Sequence, residues 1–253
     1  MGMRLTNKVA IVTGGGSGIG RATAQKFAHE GAKVVVADVN RESGTKVANE
    51  IKEQGGEAVF IAVDTSSYAS VESLVQQTLG VYGKLDIMFN NAGITNTRYH
   101  VLDMPIEEYH RTVAVNQHGV FYGIKAAANA MKDHGGVIIN TASIYGFIAD
   151  RKHFPYHASK GAVVMMTKSA ALDLARFNIR VVGIAPGLID TNIVSEIRND
   201  PALWNQIEKA QMRGKAGTPE EVAQVVTFLA SDESSFMNGH VFFVDDGSAS
   251  FKR

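Results

Sequence analysis

Short continuous apolar runs alternate along this chain with longer stretches whose apolar residues recur at helical spacing. The runs are "KVAIVT" (8–13), "KVVVAD" (33–38), "AVFIAVD" (58–64), "LDIMFNN" (85–91), "GVIINTA" (136–142), "IRVVGIA" (179–185) and "HVFFVDD" (240–246). They are rich in branched residues and mostly lack polar alternation, as expected of parallel strands buried on both faces. Helices are predicted near 18–30, 42–54, 67–82, 106–132, 155–176 and 218–230. The last opens on Thr218-Pro219-Glu220-Glu221, a capping box with proline at the first helical position. Alternation over the whole length predicts one α/β domain, residues 1–253, with a Rossmann fold: a doubly wound, seven-stranded parallel sheet with helices on both faces. The least regular stretch is 188–215, after the sixth strand, where an insertion acting as a lid is expected.

Composition narrows the picture. With 45% hydrophobic and 20% charged residues, the 253-residue chain is ordinary for a globular protein. Its 25 basic and 25 acidic residues cancel, so no net field points to nucleic acid or an anionic membrane. The absence of cysteine excludes disulfides, thiolate catalysis and cysteine metal sites. No apolar run approaches the ~18 residues of a membrane span, and the N-terminus lacks the apolar region of a signal peptide. A cytoplasmic protein is expected, with no nucleic-acid or membrane partner. No His, Asp or Glu spacing suggests a catalytic metal.

The first strand runs into Thr13-Gly14-Gly15-Gly16-Ser17-Gly18-Ile19-Gly20. A strand, a glycine turn and a helix form the setting for phosphate binding, because free N–H groups and the helix dipole attract its charge. The second strand ends in Asp38, whose carboxylate can accept hydrogen bonds from an adenosine ribose and repels a 2′-phosphate. Val39 follows, so no cation stands beside that position. The pattern favours NAD over NADP, although Arg41 is long enough to reach a phosphate.

The spacing T-G-x-x-x-G-x-G, with motifs that follow in matching order over essentially the whole chain, resembles the short-chain dehydrogenase/reductase family. The resemblance implies that Gly14, Ser17, Gly18, Ile19 and Gly20 hold the cofactor's pyrophosphate, and that Asp38 and Val39 meet its ribose. It assigns Asp64 and Thr65 to the adenine, and Asn91, Ala92 and Gly93, in Asn90-Asn91-Ala92-Gly93, to the adenosine side. Pro186, Gly187, Ile189 and Thr191 match the stretch that holds the nicotinamide carboxamide. It also implies a homotetramer, with the helices at 106–132 and 155–176 packed between subunits.

The same resemblance assigns Asn116, Ser143, Tyr156 and Lys160 to catalysis. Tyr156 would be the acid/base, and Lys160 would lower its pKa and bind the nicotinamide ribose. Ser143 would steady the substrate oxygen, and Asn116 would distort its helix and hold a water of a proton relay. Elementary chemistry agrees. Tyr156 and Lys160 stand four residues apart, on one helical face. Lowering a tyrosine pKa from ~10 by ~3 units needs about 4 kcal/mol, which one ammonium at ~4 Å supplies at an effective dielectric of ~20. His157 neighbours Tyr156 but lies about 100° round the helix, and is not expected to be catalytic.

The reaction expected is NAD(H)-dependent hydride transfer between nicotinamide and a secondary alcohol or ketone. A 3-oxoacyl-type reductase, an internal NAD user such as an epimerase, and a non-catalytic NAD-binding regulator remain alternatives. Specificity is expected from 94–104, 144–154 and 188–213. The segment Asp150-Arg151-Lys152-His153 is either a solvated loop or a polar wall for a hydroxylated or anionic substrate.

Overall fold

The computed structural model describes residues 3–250. Seven strands form one wholly parallel sheet: β1 (Val9–Thr13), β2 (Lys33–Asp38), β3 (Glu57–Ala62), β4 (Ile87–Asn90), β5 (Gly136–Thr141), β6 (Ile179–Pro186) and β7 (Val241–Val244). Their spatial order is β3-β2-β1-β4-β5-β6-β7. The winding therefore reverses between β1 and β4, and a crevice opens there at the carboxyl ends of the strands. The expected Rossmann architecture is present.

Helices α1 (Gly18–His29), α2 (Arg41–Glu53) and α9 (Pro219–Ala230) bury one stripe each on one face. Helices α3 (Tyr68–Tyr82), α5 (Gly119–Met131) and α6 (Phe154–Leu174) do so on the other. The period of two along each strand supplies both cores. In β1, Ala10 and Val12 point to the first face and Ile11 to the second; in β2, Val34 and Val36 oppose Val35 and Ala37. Continuous apolar strands are thus the direct cost of a sheet covered on both sides. The capping box on α9 forms as expected: the Thr218 side chain accepts from Glu221 N at 3.2 Å, and the Glu221 carboxylate accepts from Thr218 N at 2.8 Å.

Two segments differ from expectation. The helix predicted at 106–132 is three pieces: α4 (Ile106–Val113), a π turn (Ala114–His118) and α5. The extra residue of the π turn is centred on Asn116, whose bonds to another loop replace regular helical register. The segment 188–215 is not irregular. It holds a 3₁₀ turn (Asn192–Val194), α7 (Ser195–Arg198) and α8 (Pro201–Lys209), with Asp200 capping α8 by accepting from Ala202 N and Leu203 N. Among the described residues no helix is long and apolar enough to cross a membrane.

Candidate active site

The glycine turn lies at the reversal point. Gly14 and Gly18 occupy the left-handed region, with φ of 64° and 50°, a conformation that favours glycine. A methyl group on Gly20 would overlap the Gly14 carbonyl, so glycine there lets α1 pack onto the turn. Ser17 is the N-cap of α1, yet its side chain caps nothing, which leaves the first helical N–H groups open to an anion. Ile19 packs against the core behind them. Thr191 reaches over the turn from beyond β6: its methyl carbon is 3.2 Å from where a Gly18 side chain would begin.

Asp38 is held at the end of β2. One carboxylate oxygen accepts from Gly16 N and the other from Asn40 N, each at 2.9 Å. Val39 is exposed beside it. Thr13 ties the ends of β1 and β4 together: its hydroxyl accepts from Asn91 N and Ala92 N at 2.9 and 3.1 Å, and Asn91 Nδ2 donates to its carbonyl at 3.0 Å. Asp64 is exposed and accepts from Ser66, while Thr65 abuts Gly119. Pro186 closes β6, Gly187 N donates to Val244 O at 3.0 Å, and Ile189 is buried against Gly217. A cradle of glycines with open amides, a carboxylate at the next strand end and a side chain folded over the turn together fit a dinucleotide.

The four proposed catalytic residues converge from three elements. Lys160 is buried on α6, and its Nζ donates to Thr141 O at 2.7 Å and lies 5.7 Å from the centre of the Tyr156 ring. Pro155 occupies the first turn of α6, as its sequence position suggests. Ser143 follows β5, and its Oγ accepts from Tyr145 N at 3.2 Å. Asn116 is fully buried. It clamps the backbone of Ile94 twice at 2.8 Å, accepting from the N–H and donating to the carbonyl. Gly93 sits over this group: a side chain there would begin 3.3 Å from Asn116 Oδ1 and 3.6 Å from Lys160 Nζ.

A second cluster adjoins the first. The Tyr145 ring lies edge-on to Tyr156 at 6.3 Å and also contacts His153 and His157. Its hydroxyl donates to Asp150 Oδ2 at 3.3 Å, and Arg98 lies 3.8 Å from the same oxygen. His157 Nε2 accepts from Asp150 N at 3.1 Å, so this histidine anchors the loop. Asp150, Arg151 and Lys152 are exposed whereas His153 is buried, so the segment is partly solvated loop and partly wall. Asn96 is also buried and donates from Nδ2 to Thr97 O and Lys152 O. Sequence reasoning missed Asn96 and Tyr145. Neither breaks a periodic pattern; burial singles out Asn96, and the edge-on contact with Tyr156 singles out Tyr145.

A family model described as enoyl-(acyl carrier protein) reductase matches residues 14–249. The chain is 40% identical over 245 residues to a cyclopentanol dehydrogenase of Comamonas sp., covering 96% of this chain and 98% of the relative. It is 42% identical over 250 residues to an NADP-dependent (R)-specific alcohol dehydrogenase of Lentilactobacillus kefiri, covering 96% and 97%. A solved short-chain type dehydrogenase/reductase from Mycobacterium marinum superposes with a TM-score of 0.93 at 38% identity, covering 98% of both chains. The chain belongs to the short-chain dehydrogenase/reductase family. It is therefore an oxidoreductase of a hydride-transferring family that binds nicotinamide cofactors.

In this short-chain dehydrogenase/reductase, burial dominates the electrostatics of the tyrosine–lysine pair. It pushes the Lys160 ammonium down to about 8. It pushes the Tyr156 phenol up, an effect partly offset by the hydrogen bond from Ser143. The simple expectation that Lys160 draws the tyrosine pKa down is thus opposed here, because desolvation penalises the charged form of both groups. Tyr145 is pushed up to about 12 by burial and by Asp150. Burial lowers His153 as well, with Arg98 adding to the effect.

Proposed function

We propose that this chain is an NAD(H)-dependent secondary-alcohol dehydrogenase and ketoreductase, with Asn116, Ser143, Tyr156 and Lys160 as its catalytic set. One observation carries the reading. Ser143 Oγ accepts from Tyr145 N and turns its hydroxyl to Tyr156, so the two hydroxyls stand together where one substrate oxygen would meet both, with Lys160 buried on the same helix as Tyr156. When bound, the nicotinamide supplies the carbon that takes or returns the hydride. In oxidation, the Tyr156 phenolate takes the alcohol proton, and in reduction the phenol returns it. Ser143 donates to the same substrate oxygen and stabilises its developing charge. Lys160 spends one donor on Thr141 O and keeps others for the phenolate side. Asn116 fixes the Ile94 backbone next to Gly93, whose missing side chain leaves the space beside Lys160 Nζ. The cyclopentanol dehydrogenase relative supports a secondary alcohol as substrate.

The test is nicotinamide absorbance in the near ultraviolet with NAD⁺ and a panel of secondary alcohols. Steady accumulation of reduced cofactor supports the reading, and binding without turnover across the panel replaces it with a regulator.

Asp38 supports NAD as the cofactor, since its carboxylate is pinned at the end of β2 beside the glycine turn, where its charge would repel a 2′-phosphate. The Lentilactobacillus kefiri relative is NADP-dependent by name, so the choice is local to such residues. Two like charges ~5 Å apart at an effective dielectric of ~20 repel by about 3 kcal/mol. The ratio kcat/KM for NAD⁺ over NADP⁺ is therefore expected near 100-fold, and Asp38→Ser should shrink it. Parity in the wild type would overturn the assignment.

A homotetramer is supported by large apolar side chains left exposed on α5 and α6, namely Phe121, Met165 and Leu172. Light scattering should report about four times the 27.2 kDa chain mass; a monomer would refute it.

A further inference from the structure

Besides Thr141 Oγ1 at the end of β5, two buried polar atoms beside the proposed reaction centre have no hydrogen-bond partner within the protein: Asn96 Oδ1 and His153 Nδ1. Their residues are 3% and 8% exposed. They flank one peptide. Asn96 bonds the carbonyl of Lys152, and His153 is the next residue. Lys152 holds the left-handed conformation, with φ of 68°, at the point where the loop turns into the site. The His153 ring lies 5.6 Å from that of Tyr145, which is edge-on to Tyr156.

The chemistry of the two orphans is specific. Asn96 Nδ2 faces two carbonyls, Thr97 O at 2.7 Å and Lys152 O at 3.1 Å. Carbonyls only accept, so this end of the amide is nitrogen and the orphan end is oxygen. That oxygen can be satisfied only by a donor. His153 Nδ1 donates or accepts according to tautomer. A hydroxyl can satisfy either atom, donating to Asn96 Oδ1 or pairing with His153 Nδ1 in either tautomer, whereas a ketone or ether oxygen cannot satisfy Asn96. Buried polar groups in folded proteins have partners, and a site built for a hydroxyl rejects analogues that lack one.

We propose that Asn96 and His153 form a hydroxyl-binding subsite, so that the preferred substrate carries a second hydroxyl beyond the reacting carbon, as a diol or a hydroxy ketone. The inference rests on the dehydrogenase reading above.

The experiment uses the intact enzyme with NAD⁺ and three sets of ring alcohols of one size: the mono-alcohol, its diols of varied spacing, and the diols' mono-methyl ethers. The ethers keep the oxygen and lose the donor. For at least one spacing, kcat/KM for the diol should exceed that of its ether and of the mono-alcohol by about tenfold or more. In Asn96→Leu and in His153→Phe the diol-to-ether ratio should fall towards one. The wild-type comparison stands without the variants, should either fail to fold. Turnover of all three sets at equal kcat/KM overturns the subsite and leaves the dehydrogenase reading intact, with a buried water then serving the two atoms. A diol preference that survives in both folded variants also overturns it. No turnover of any alcohol removes the dehydrogenase reading, and the subsite with it.

Discussion

Tyr156→Phe is expected to lower kcat for alcohol oxidation by about 10²–10⁴-fold, the range contributed by one positioned acid–base group. The substitution removes a single oxygen. The ring remains, so its contacts with Tyr145 and Lys160 are kept and α6 keeps its proline start. Thermal stability and cofactor binding should therefore stay near wild type, which separates chemistry from folding. The pH profile gives a second check. Oxidation needs the phenolate, and burial pushes the phenol up. The oxidation rate should accordingly climb with pH beyond the Lys160 value of about 8, whereas reduction, which needs the phenol, should hold at neutral pH. A phenylalanine variant with wild-type kcat would remove Tyr156 from the mechanism.

Lys160→Met is expected to abolish turnover and, near neutral pH, to make the protein more stable. The folded-state pKa of about 8 lies below the ordinary 10.5. The unfolded chain thus binds this proton more tightly than the folded chain does. Between those values stability rises with pH; it is lost as pH falls through about 8, and below that the penalty is complete. The shift corresponds to about 3 kcal/mol. Methionine fills a similar volume without a charge, but it forfeits the bond to Thr141 O, worth roughly 1 kcal/mol or somewhat more with the carbonyl left unpaired. A net gain of about 1–2 kcal/mol should appear in urea denaturation at neutral pH. It should vanish above the ordinary lysine pKa, where wild-type Lys160 is neutral in both states. A variant less stable than wild type at neutral pH would show that the buried ammonium is no burden. The two substitutions make opposite statements: Tyr156 is costly only to catalysis when changed, while Lys160 costs the fold something to keep.

Legibility varied with the range of the interaction concerned. The strands were readable because two-sided burial writes an uninterrupted apolar run, as in Val34, Val35 and Val36, which serve both cores. Their ends were read too long at 64, 91 and 246, because the polar residues there, Asp64, Asn91 and Asp246, follow the strands closely and nothing local marks the last ladder bond. The α9 cap was readable because Thr218 and Glu221 satisfy each other three residues apart. The distortion at Asn116 was expected from the family resemblance and is present as the π turn, but the clamp behind it was not readable, because it reaches Ile94, 22 residues away, and helical periodicity carries no trace of it. The stretch 188–215 looked irregular because its helices are short, with α7 spanning only four residues.

By itself, then, the sequence determined the alternation of elements, the glycine turn, the carboxylate at Asp38 and the spacing of Tyr156 and Lys160. Each is a local pattern, imposed by the period of a strand or helix or by the conformational freedom of glycine. Only the tertiary structure decided the environment of those groups. Burial reverses the simple electrostatic expectation for Tyr156, since desolvation depends on everything packed around a group and not on its neighbours in the chain. The same dependence conceals Asn96 from the sequence. An asparagine in a polar loop is ordinary until folding brings the Lys152 carbonyl to its amide nitrogen, and so fixes its oxygen as an acceptor in need of a donor.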